Sequence, residues 1–436
     1  MKVIIFSLLI VTSFSSVIRT QTASEMQTAN TAERAAVKAY QAKNRAEFLM
    51  QIETANWNRP NHPRIIYNLA VAHALNGRLD DSLDGLERLN GMGLAYAFEK
   101  NEDLKPLFET ERFKTLKARS DSNRMPINAS TRALTIEDKT LIAESVAFDT
   151  KSRSWFVGSV HQRKIIKVGN DGSVQDFSSP NDGLWSVLGI KIDQKRNHLW
   201  AATSALPQMK GYTAELKGRS GLAKYDLRTG KLLKFYRLPA SENHALGDLV
   251  LNNEGRVFTT DSATPTIYSI DPKTDQLSAF TTSDLFVSLQ GLTFGSTEKV
   301  LYVADYSKGI FRIDVQSREI TQMKPADQVT LLGIDGLYFY AGKLIAIQNG
   351  VNPNRVVAFV VADGAITSFK PLEANHSDFM EPTLGMVVGD EFYFVANSQW
   401  PLVSENAELN MDKLVSPVIL KLNLKKELAK GSSASK

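Results

Sequence analysis

Residues 288–314 read SLQGLTFGSTEKVLYVADYSKGIFRID. Two apolar runs flank a polar turn, the second run ends at Asp305, and Gly309 leads into a third run. Short runs of alternating apolar and polar residues between turn signals are typical of antiparallel strands. The stretch therefore predicts strands over 289–294, 300–304 and 310–313, and the residues that follow predict a fourth over 319–323.

The start of this stretch recurs along two thirds of the chain. Aligned on one glycine, the six copies read AESVAFD, VLGIKID, ALGDLVLN, LQGLTFG, IDGLYFY and TLGMVVG, with Ser145 in place of the glycine in the first. Successive copies are 44, 58, 44, 45 and 49 residues apart. A period of roughly 40 to 50 residues with about four short strands is the signature of a β-propeller blade. We therefore predict a mainly β fold, a six-bladed β-propeller.

The ends of the repeat region predict how the ring closes. The sixth copy supplies three strands, the last over 417–424, and the following residues 425–436 read as a polar tail. The segment RALTI at 132–136 precedes the first copy and has no other predicted partner. Unpaired strand edges invite aggregation, so a closed ring is favoured. We expect 132–136 to complete the sixth blade, which places the propeller at 132–424.

Apolar residues before the propeller follow a helical period instead. Residues 25–120 predict a small helical domain, with a break at Asn76-Gly77 between two periodic runs. The stretch YNLAVAHALNGRLDDSLDGLERLNGMG at 67–93 resembles a tetratricopeptide repeat. One such repeat offers either a peptide-binding groove or a helical packing module. The polar segment 121–131, which contains Pro126, is predicted to link the two domains.

The first twenty residues have the layout of a secretory signal peptide. Lys2 is followed by an apolar run over 3–11 and then by small and hydroxyl residues. The run is short for a membrane span, although a membrane-anchoring or disordered start is the alternative. We predict a signal peptide over 1–20, an exported protein that is periplasmic or secreted, and no membrane span after cleavage.

Composition excludes several other classes of function. The chain has no cysteine, hence no disulfide framework and no thiol nucleophile. Its net charge is only +4, and no run of Lys and Arg exceeds a pair, so we expect no nucleic-acid partner. The sequence also has no G-x-S-x-G, H-E-x-x-H or phosphate-binding loop motif.

One face of the predicted ring carries the long loops. Blade strands alternate in direction, so the loop from the second to the third strand lies on the same face as the start of each inner strand. Two insertions, 205–221 and 398–416, occur in such loops and would overhang one mouth of the channel. Long loops on a rigid scaffold are where binding sites usually lie.

The residues just before the aligned glycine are predicted to form a ring at that mouth. They are Glu144, Leu188, Leu246, Gln290, Asp335 and Leu384. Carboxylate and amide oxygens suit a hard cation, so Glu144, Asp335 and Gln290 are candidate metal ligands, and the two acids are candidate catalytic residues. The alternatives are a channel carboxylate bonded to backbone amides for Glu144, a turn-forming Asp335, and a structural Gln290.

Further polar residues fall on the same loop face. The candidate ligand-binding residues there, besides Gln290, are His161, Asp305, Asn349, Asn397 and Trp400. His161 has no partner at metal-ligand spacing, so an ordinary loop role is the alternative for it. Asp305 ends a strand and would there bind backbone amides. Trp400 is either a sugar-stacking platform or a plug in the loop.

The region 132–424 resembles the six-bladed propellers of the senescence marker protein and gluconolactonase family. LIAESVAFDTKSRSWFVGS at 141–159 matches the opening motif of that family, in which a glutamate at the position of Glu144 is the first metal ligand. The resemblance implies a divalent cation, calcium or zinc, that polarises a lactone carbonyl and activates water. Where the family presents Asn, Asn and Asp in the next three blades, this chain has Leu188, Leu246 and Gln290.

Two functional hypotheses follow. The first is an exported propeller that binds a small sugar-like or lactone ligand at the channel mouth and hydrolyses a lactone or ester bond with the help of a metal. The second is a non-catalytic scaffold that binds a protein or glycan partner through its loop-rich face and helical domain.

Overall fold

Helices make up the N-terminal part of the described chain. The structure, a computed structural model, describes residues 23–430, so the predicted signal peptide lies outside the described residues. Apolar residues at helical spacing form α1 Ala23–Gln41, α2 Arg45–Asn58, α3 Pro63–Leu75, α4 Leu79–Gly91 and α5 Glu111–Arg124. Two 3₁₀ turns, Phe98–Lys100 and Glu102–Leu107, connect α4 to α5.

The pair α3 and α4 is held together by small residues. The break between them lies at the predicted position, where Gly77 has φ +74°, a conformation that glycine adopts readily. A Cβ added at Gly85 would lie 3.1 Å from Cβ of Ala70, so these two residues allow close helix contact. The resemblance to a tetratricopeptide repeat stays a prediction.

Six sheets follow the helices and form the blades. A single strand, β1 Thr131–Thr135, precedes them. Blade one contains β2 Ala143–Asp149, β3 Ser154–Ser159, β4 Lys164–Val168 and β5 Val174–Asp176, and blade two contains β6 Ser186–Asp193, β7 His198–Ser204, β8 Ser220–Asp226 and β9 Leu232–Arg237. Blade three contains β10 Leu246–Leu251, β11 Val257–Asp261, β12 Thr266–Asp271 and β13 Gln276–Thr282.

The remaining blades depart slightly from this plan. Blade four contains β14 Leu289–Phe294, β15 Val300–Asp305, β16 Gly309–Asp314 and β17 Ile320–Gln322. Blade five adds a short parallel strand, β18 Lys324–Pro325, to β19 Ile334–Tyr340, β20 Lys343–Gln348, β21 Arg355–Ala362 and β22 Ala365–Ala374. Blade six contains β23 Gly385–Val388, β24 Glu391–Val395 and β25 Val418–Asn423, together with β1.

The ring closes between its first and last strands. β1 pairs with β25 in the antiparallel sense, with Leu134 opposite Ile419, and so completes a sheet in the order β1-β25-β24-β23. The pairing joins segments from the two ends of the propeller and covers the edge of β25. The predicted six-bladed fold and its mode of closure are both confirmed.

The recurring glycine has a packing reason. A Cβ at Gly189 would lie 2.7 Å from the carbonyl oxygen of Gly247 in the next blade. A Cβ at Gly291 would lie 2.6 Å from the carbonyl oxygen of Asp335, again in the next blade. At both positions the inner strands of neighbouring blades approach so closely that only glycine fits between them.

The helices pack against blades four and five. The backbone N–H of Ala95 donates to the carbonyl of Asn352 at 3.0 Å, and the Asn352 side chain donates back to the carbonyl of Ala95 at 2.9 Å. Arg355 on β21 is 1% exposed and donates to the carbonyls of Met92 and Gly93, just beyond α4. These contacts fix the helical part on the ring.

The predicted linker and tail both contain ordered structure. α5 continues to Arg124, and the Glu373 carboxylate accepts the N–H groups of Ala129 and Ser130, so the linker is tied to β22. Residues Leu424–Ala429, predicted as the start of a polar tail, form a short helix, α6, with Leu424 buried. In residues 23–430, no helix is long and apolar enough to cross a membrane.

Candidate functional site

A backbone irregularity recurs at the start of the inner strands. In blades one to five the pairing with the second strand shifts there, for example between Ala143 and Ser145 and between Ile334 and Leu337. Such a bulge takes residues out of the ladder and redirects their side chains. Glu144, Gln290 and Asp335 are residues skipped in this way.

The redirected side chains line one cavity at the mouth of the channel. Its volume is about 330 Å³, at the lower end of the range for small-molecule sites. It brings together five of the eight predicted site residues: Glu144, Gln290, Asp335, Asn349 and Trp400. Leu188 and Leu384 of the predicted ring also line it, whereas Leu246 is fully buried beneath it and packs against Trp200.

Glu144 is an acid that is almost completely shielded from solvent. It is 7% exposed, and its Oε2 accepts a hydrogen bond from the indole N–H of Trp400 at 2.6 Å. Burial raises the pKa of Glu144 well above its usual range, and the nearby Asp335 raises it further, while the Trp400 bond opposes both effects. These low-dielectric surroundings therefore favour the protonated form of Glu144.

Asp335 is held by a short chain of hydrogen bonds. Its Oδ2 accepts from the side-chain amide of Asn349 at 2.7 Å, and the amide oxygen of Asn349 accepts from the Tyr306 hydroxyl at 3.1 Å. Burial raises the pKa of Asp335 to about 7, with smaller contributions from Glu381 and Asp248. Its carboxyl group is consequently close to half ionised at neutral pH.

Two further acids line the cavity that the sequence did not single out. Asp248 is 2% exposed, and its Oδ1 lies 2.9 Å from Nζ of Lys191. Its Oδ2 and the Oε2 of Glu381 have no partner among residues 23–430. Asp248 follows the aligned Gly247, and the bulge between Leu246 and Leu249 turns it inward. No sequence signal identified Glu381, which lies in the loop before β23.

Three predicted ligand-binding residues lie outside the cavity lining and hold loops instead. His161 Nδ1 lies 2.9 Å from the carbonyl oxygen of Gln208, within the first insertion. Asn397 donates to the carbonyl of Ser416 and accepts from the N–H of Val418, at the end of the second insertion. Asp305 is fully buried and accepts four backbone N–H groups, those of Val287, Ser288, Ser307 and Lys308.

The two insertions meet above the cavity. Leu206 of the first and Trp400 of the second both line it, and both pack in one apolar cluster with Leu188. His161 and Asn397 anchor the insertions, so they act on the site through loop position. Their backbone bonds explain why a polar residue is needed at those positions.

The predicted ligands do not fit a preformed site for a divalent cation. Glu144 and Asp335 each accept a hydrogen bond from a neighbouring side chain, and Gln290 Nε2 lies 3.4 Å from Oγ of Ser288. Within the described chain, no group of three or more His, Cys, Asp or Glu side chains is arranged to hold a metal ion. Leucines at two lining positions of the predicted ring supply no oxygen ligand.

Known structures resemble the chain at the level of the fold. No family model matches the sequence, and no curated protein is similar to it at a significant level. A gluconolactonase from Xanthomonas campestris is 13% identical, with a TM-score of 0.47, over 68% of this chain and 95% of that chain.

Two other similar structures carry different chemistry. A catalytically inactive virginiamycin B lyase from Staphylococcus aureus with quinupristin is 15% identical, with a TM-score of 0.45, over 67% of this chain and 99% of that chain. The PQQ-bound aldose sugar dehydrogenase from Streptomyces coelicolor is 10% identical, with a TM-score of 0.46, over 69% of this chain and 98% of that chain. Gluconolactonase-like propellers are thus among the structures similar to this chain.

Proposed function

We propose that the mouth cavity binds a small, uncharged, sugar-like or lactone ligand and hydrolyses its lactone or ester bond. The observation that carries the proposal is the pair of buried carboxyl groups, Glu144 and Asp335, in one cavity of small-molecule size. Perturbed acids in a cleft mark candidate catalytic sites. We further propose that the protein is exported and acts outside the cytoplasm.

The two acids suit complementary roles. Asp335, with a pKa raised to about 7, would accept a proton from the attacking water as the water oxygen bonds to the carbonyl carbon. Glu144, whose burial favours the protonated form, would donate its proton to the alcohol oxygen as the acyl C–O bond breaks. A lactone yields a hydroxy acid, and an acyclic ester yields a carboxylic acid and a separate alcohol.

The charge of the cavity favours this substrate class. Four carboxyl groups face it, those of Glu144, Asp248, Asp335 and Glu381, and the lining contains no Lys or Arg among the described residues. A neutral lactone avoids repulsion by these groups, whereas its carboxylate product does not. Trp400 offers an aromatic surface for a sugar ring, and Gln290 a polar group to orient it.

Kinetics on a panel of lactones and esters test the proposal. Asp335→Asn and Glu144→Gln are each expected to lower kcat by about 10² to 10⁴, the usual range for general acid–base groups. Asp363→Asn, in the exposed turn between β21 and β22, is the matched carboxyl-to-amide control and should retain wild-type rates. Unchanged hydrolysis in both cavity variants would reject the assignment.

A separate experiment with a chelator tests the predicted calcium or zinc cofactor. Dialysis against EDTA, followed by metal analysis and assay, shows whether hydrolysis depends on a bound cation. Full activity in metal-free protein would reject the cofactor while leaving the roles of the two acids in place.

A non-catalytic scaffold is the second candidate, and exposed apolar side chains on the first two helices favour it. Tyr40 on α1 and Met50 and Trp57 on α2 are large apolar side chains that are 46%, 51% and 77% exposed. Exposed apolar surface of this kind often marks a protein-binding site. Absence of hydrolysis across the panel, with partner binding that is lost in Trp57→Ser, would support the scaffold.

A further inference from the structure

A second, larger cavity lies between the helices and the ring. Its volume is about 590 Å³, and residues from the α2–α3 connection, blade four and blade five line it. Arg59, His62 and Arg64 contribute its basic groups, and the described lining contains no Asp or Glu. Its charge is therefore opposite to that of the acidic mouth cavity.

Arg59 is the central charge of this cavity. It is 8% exposed, donates to the carbonyl of Ser307 at 3.0 Å, and makes a longer contact of 3.5 Å with Oδ1 of Asn30. No carboxylate within residues 23–430 forms an ion pair with it, and the charges of Glu33 and Asp305 act on it only from beyond ion-pair distance. A buried guanidinium normally has an anionic partner, because burial of an unpaired charge is unfavourable.

Arg64 and His62 differ in the charge that they add to the cavity. Arg64 also faces the cavity, although it shares its charge with Glu33 through a contact of 3.1 Å. The Nδ1 of His62 is buried and has no hydrogen-bond partner in the described chain. Burial, and then the adjacent Arg59 and Arg64, lower the pKa of His62 to about 3, so its ring is neutral.

The backbone at the N-terminus of α3 adds an electrostatic field that favours a bound anion. His62 is the N-cap residue of α3, its side chain makes no capping hydrogen bond, and Pro63 opens the helix. The first N–H groups of a helix and its dipole both favour an anion. The N-terminus of α3, a helix of 13 residues, lies in the cavity wall beside Arg59.

We infer that this cavity binds an anionic group, a carboxylate or a phosphate, through the guanidinium of Arg59. Arg64 and the N-terminus of α3 contribute to the site. Tyr306 and Asn349 line both this cavity and the mouth cavity, so the two cavities share part of their walls. The site is distinct from the proposed hydrolytic centre and does not depend on it.

Calorimetric titration of the full-length protein at low ionic strength tests the inference. Inorganic phosphate and acetate are the two probes, and glucose is the neutral control. We expect saturable binding of an anion, weaker by about tenfold or more in Arg59→Gln, as for loss of a hydrogen bond to a charged group. Tighter binding of phosphate or of acetate identifies whether the site prefers a phosphate or a carboxylate.

Three further variants separate this site from the mouth cavity and from folding defects. Arg64→Gln, at a side chain that is 68% exposed, should weaken anion binding about threefold, and Arg59→Lys, which keeps the charge but loses the planar guanidinium, should bind the anion more tightly than Arg59→Gln. Glu144→Gln should leave anion binding unchanged even where hydrolysis is lost. Absence of saturable anion binding, or equal affinity in Arg59→Gln and Arg64→Gln as in wild type, would overturn the inference.

Discussion

The two acids of the mouth cavity resemble each other in their hydrogen bonding. Trp400 donates to Glu144, and Asn349 donates to Asp335, so each carboxyl has one fixed donor in otherwise low-dielectric surroundings. Both bonds favour the ionised form and partly oppose the effect of burial. Burial is the largest cause of the raised pKa of each acid, and Asp335 raises the pKa of Glu144 further.

The raised pKa of Asp335 predicts a pH-dependent stability. A carboxyl whose pKa rises from 3.8 to about 7 on folding stabilises the fold below the lower value, and this contribution is lost as pH rises towards the higher one. Asp335→Asn removes the effect and can still accept the bond from Asn349. Relative to wild type, we expect its free energy of unfolding to be higher by on the order of 3 kcal/mol at pH 8.

Chemical denaturation of both proteins at pH 4.5 and pH 8 measures this difference. The advantage of the variant should shrink at pH 4.5, where wild-type Asp335 is mostly protonated. Equal differences at both pH values would contradict the raised pKa.

Among single residues, the sequence predicted those site residues that occupy equivalent positions in the repeats. Glu144, Gln290 and Asp335 were predicted because each precedes the aligned position, and the bulge turns all three into the cavity. Asp248 was missed because the bulge in blade three presents the residue after the glycine instead. Asp305 was assigned a ligand role, yet its four accepted N–H bonds give it a structural one.

Among the elements, β21 and α4 are joined by a buried arginine. Arg355 donates to Gln348 and to the carbonyls of Met92 and Gly93, while its Nη2 has no partner in the described chain. The C-terminal carbonyls of α4 supply partial negative charge in place of a carboxylate. Burial lowers the pKa of Arg355 to about 9.

Replacing this arginine should loosen the helices from the ring. Arg355→Leu leaves three acceptors unpaired, two of them buried, and we expect a loss of about 2 to 4 kcal/mol in unfolding free energy. Differential scanning calorimetry should show an early transition of the helical part, separate from that of the propeller. Arg312→Leu, on the outer part of blade four, is the control and should retain the wild-type profile. An unchanged single transition in Arg355→Leu would contradict the proposal that Arg355 holds the helices on the ring.

Among the elements, strands and helices were predicted well because each carries its own periodic spacing of apolar residues, every second residue in a strand and every third or fourth in a helix. The four strands predicted in blade four agree with the structure to within one or two residues. The short strand β18 and the helix α6 were not predicted. Both are brief and depend on contacts with β22 rather than on local pattern.

For the whole molecule, closure through β1 predicts the effect of a single charge at the seam. Leu134 lies opposite Ile419 and packs into the apolar cluster between blades six and one. Leu134→Asp places a carboxylate there, and we expect β1 to detach, with a loss of about 2 to 4 kcal/mol and association through the exposed edge of β25.

Thermal unfolding and size-exclusion chromatography report on both effects. Thr135→Asp, at the exposed neighbouring position, is the matched control and should remain monodisperse to the same extent as wild type. Equal behaviour of the two variants would show that the seam contributes little.

The placement of the helices on the ring could not be predicted from sequence. The contacts that hold them, such as Ala95 with Asn352 and Arg59 with Ser307, join residues about 250 positions apart and follow no repeat. The cavity between the helices and blades four and five exists only because of that placement. Periodicity predicts each part of such a molecule, but not the interface between the parts.

The pairing of β1 with β25 also constrains how the protein is made. β1 leaves the ribosome first, and its partner is synthesised about 290 residues later. At translation rates of about 5 to 20 residues per second, β1 waits roughly 15 to 60 s for β25. During that interval a nascent chain exposes a strand that no neighbour can yet cover, so ring closure depends on whatever shields β1 until the last blade emerges.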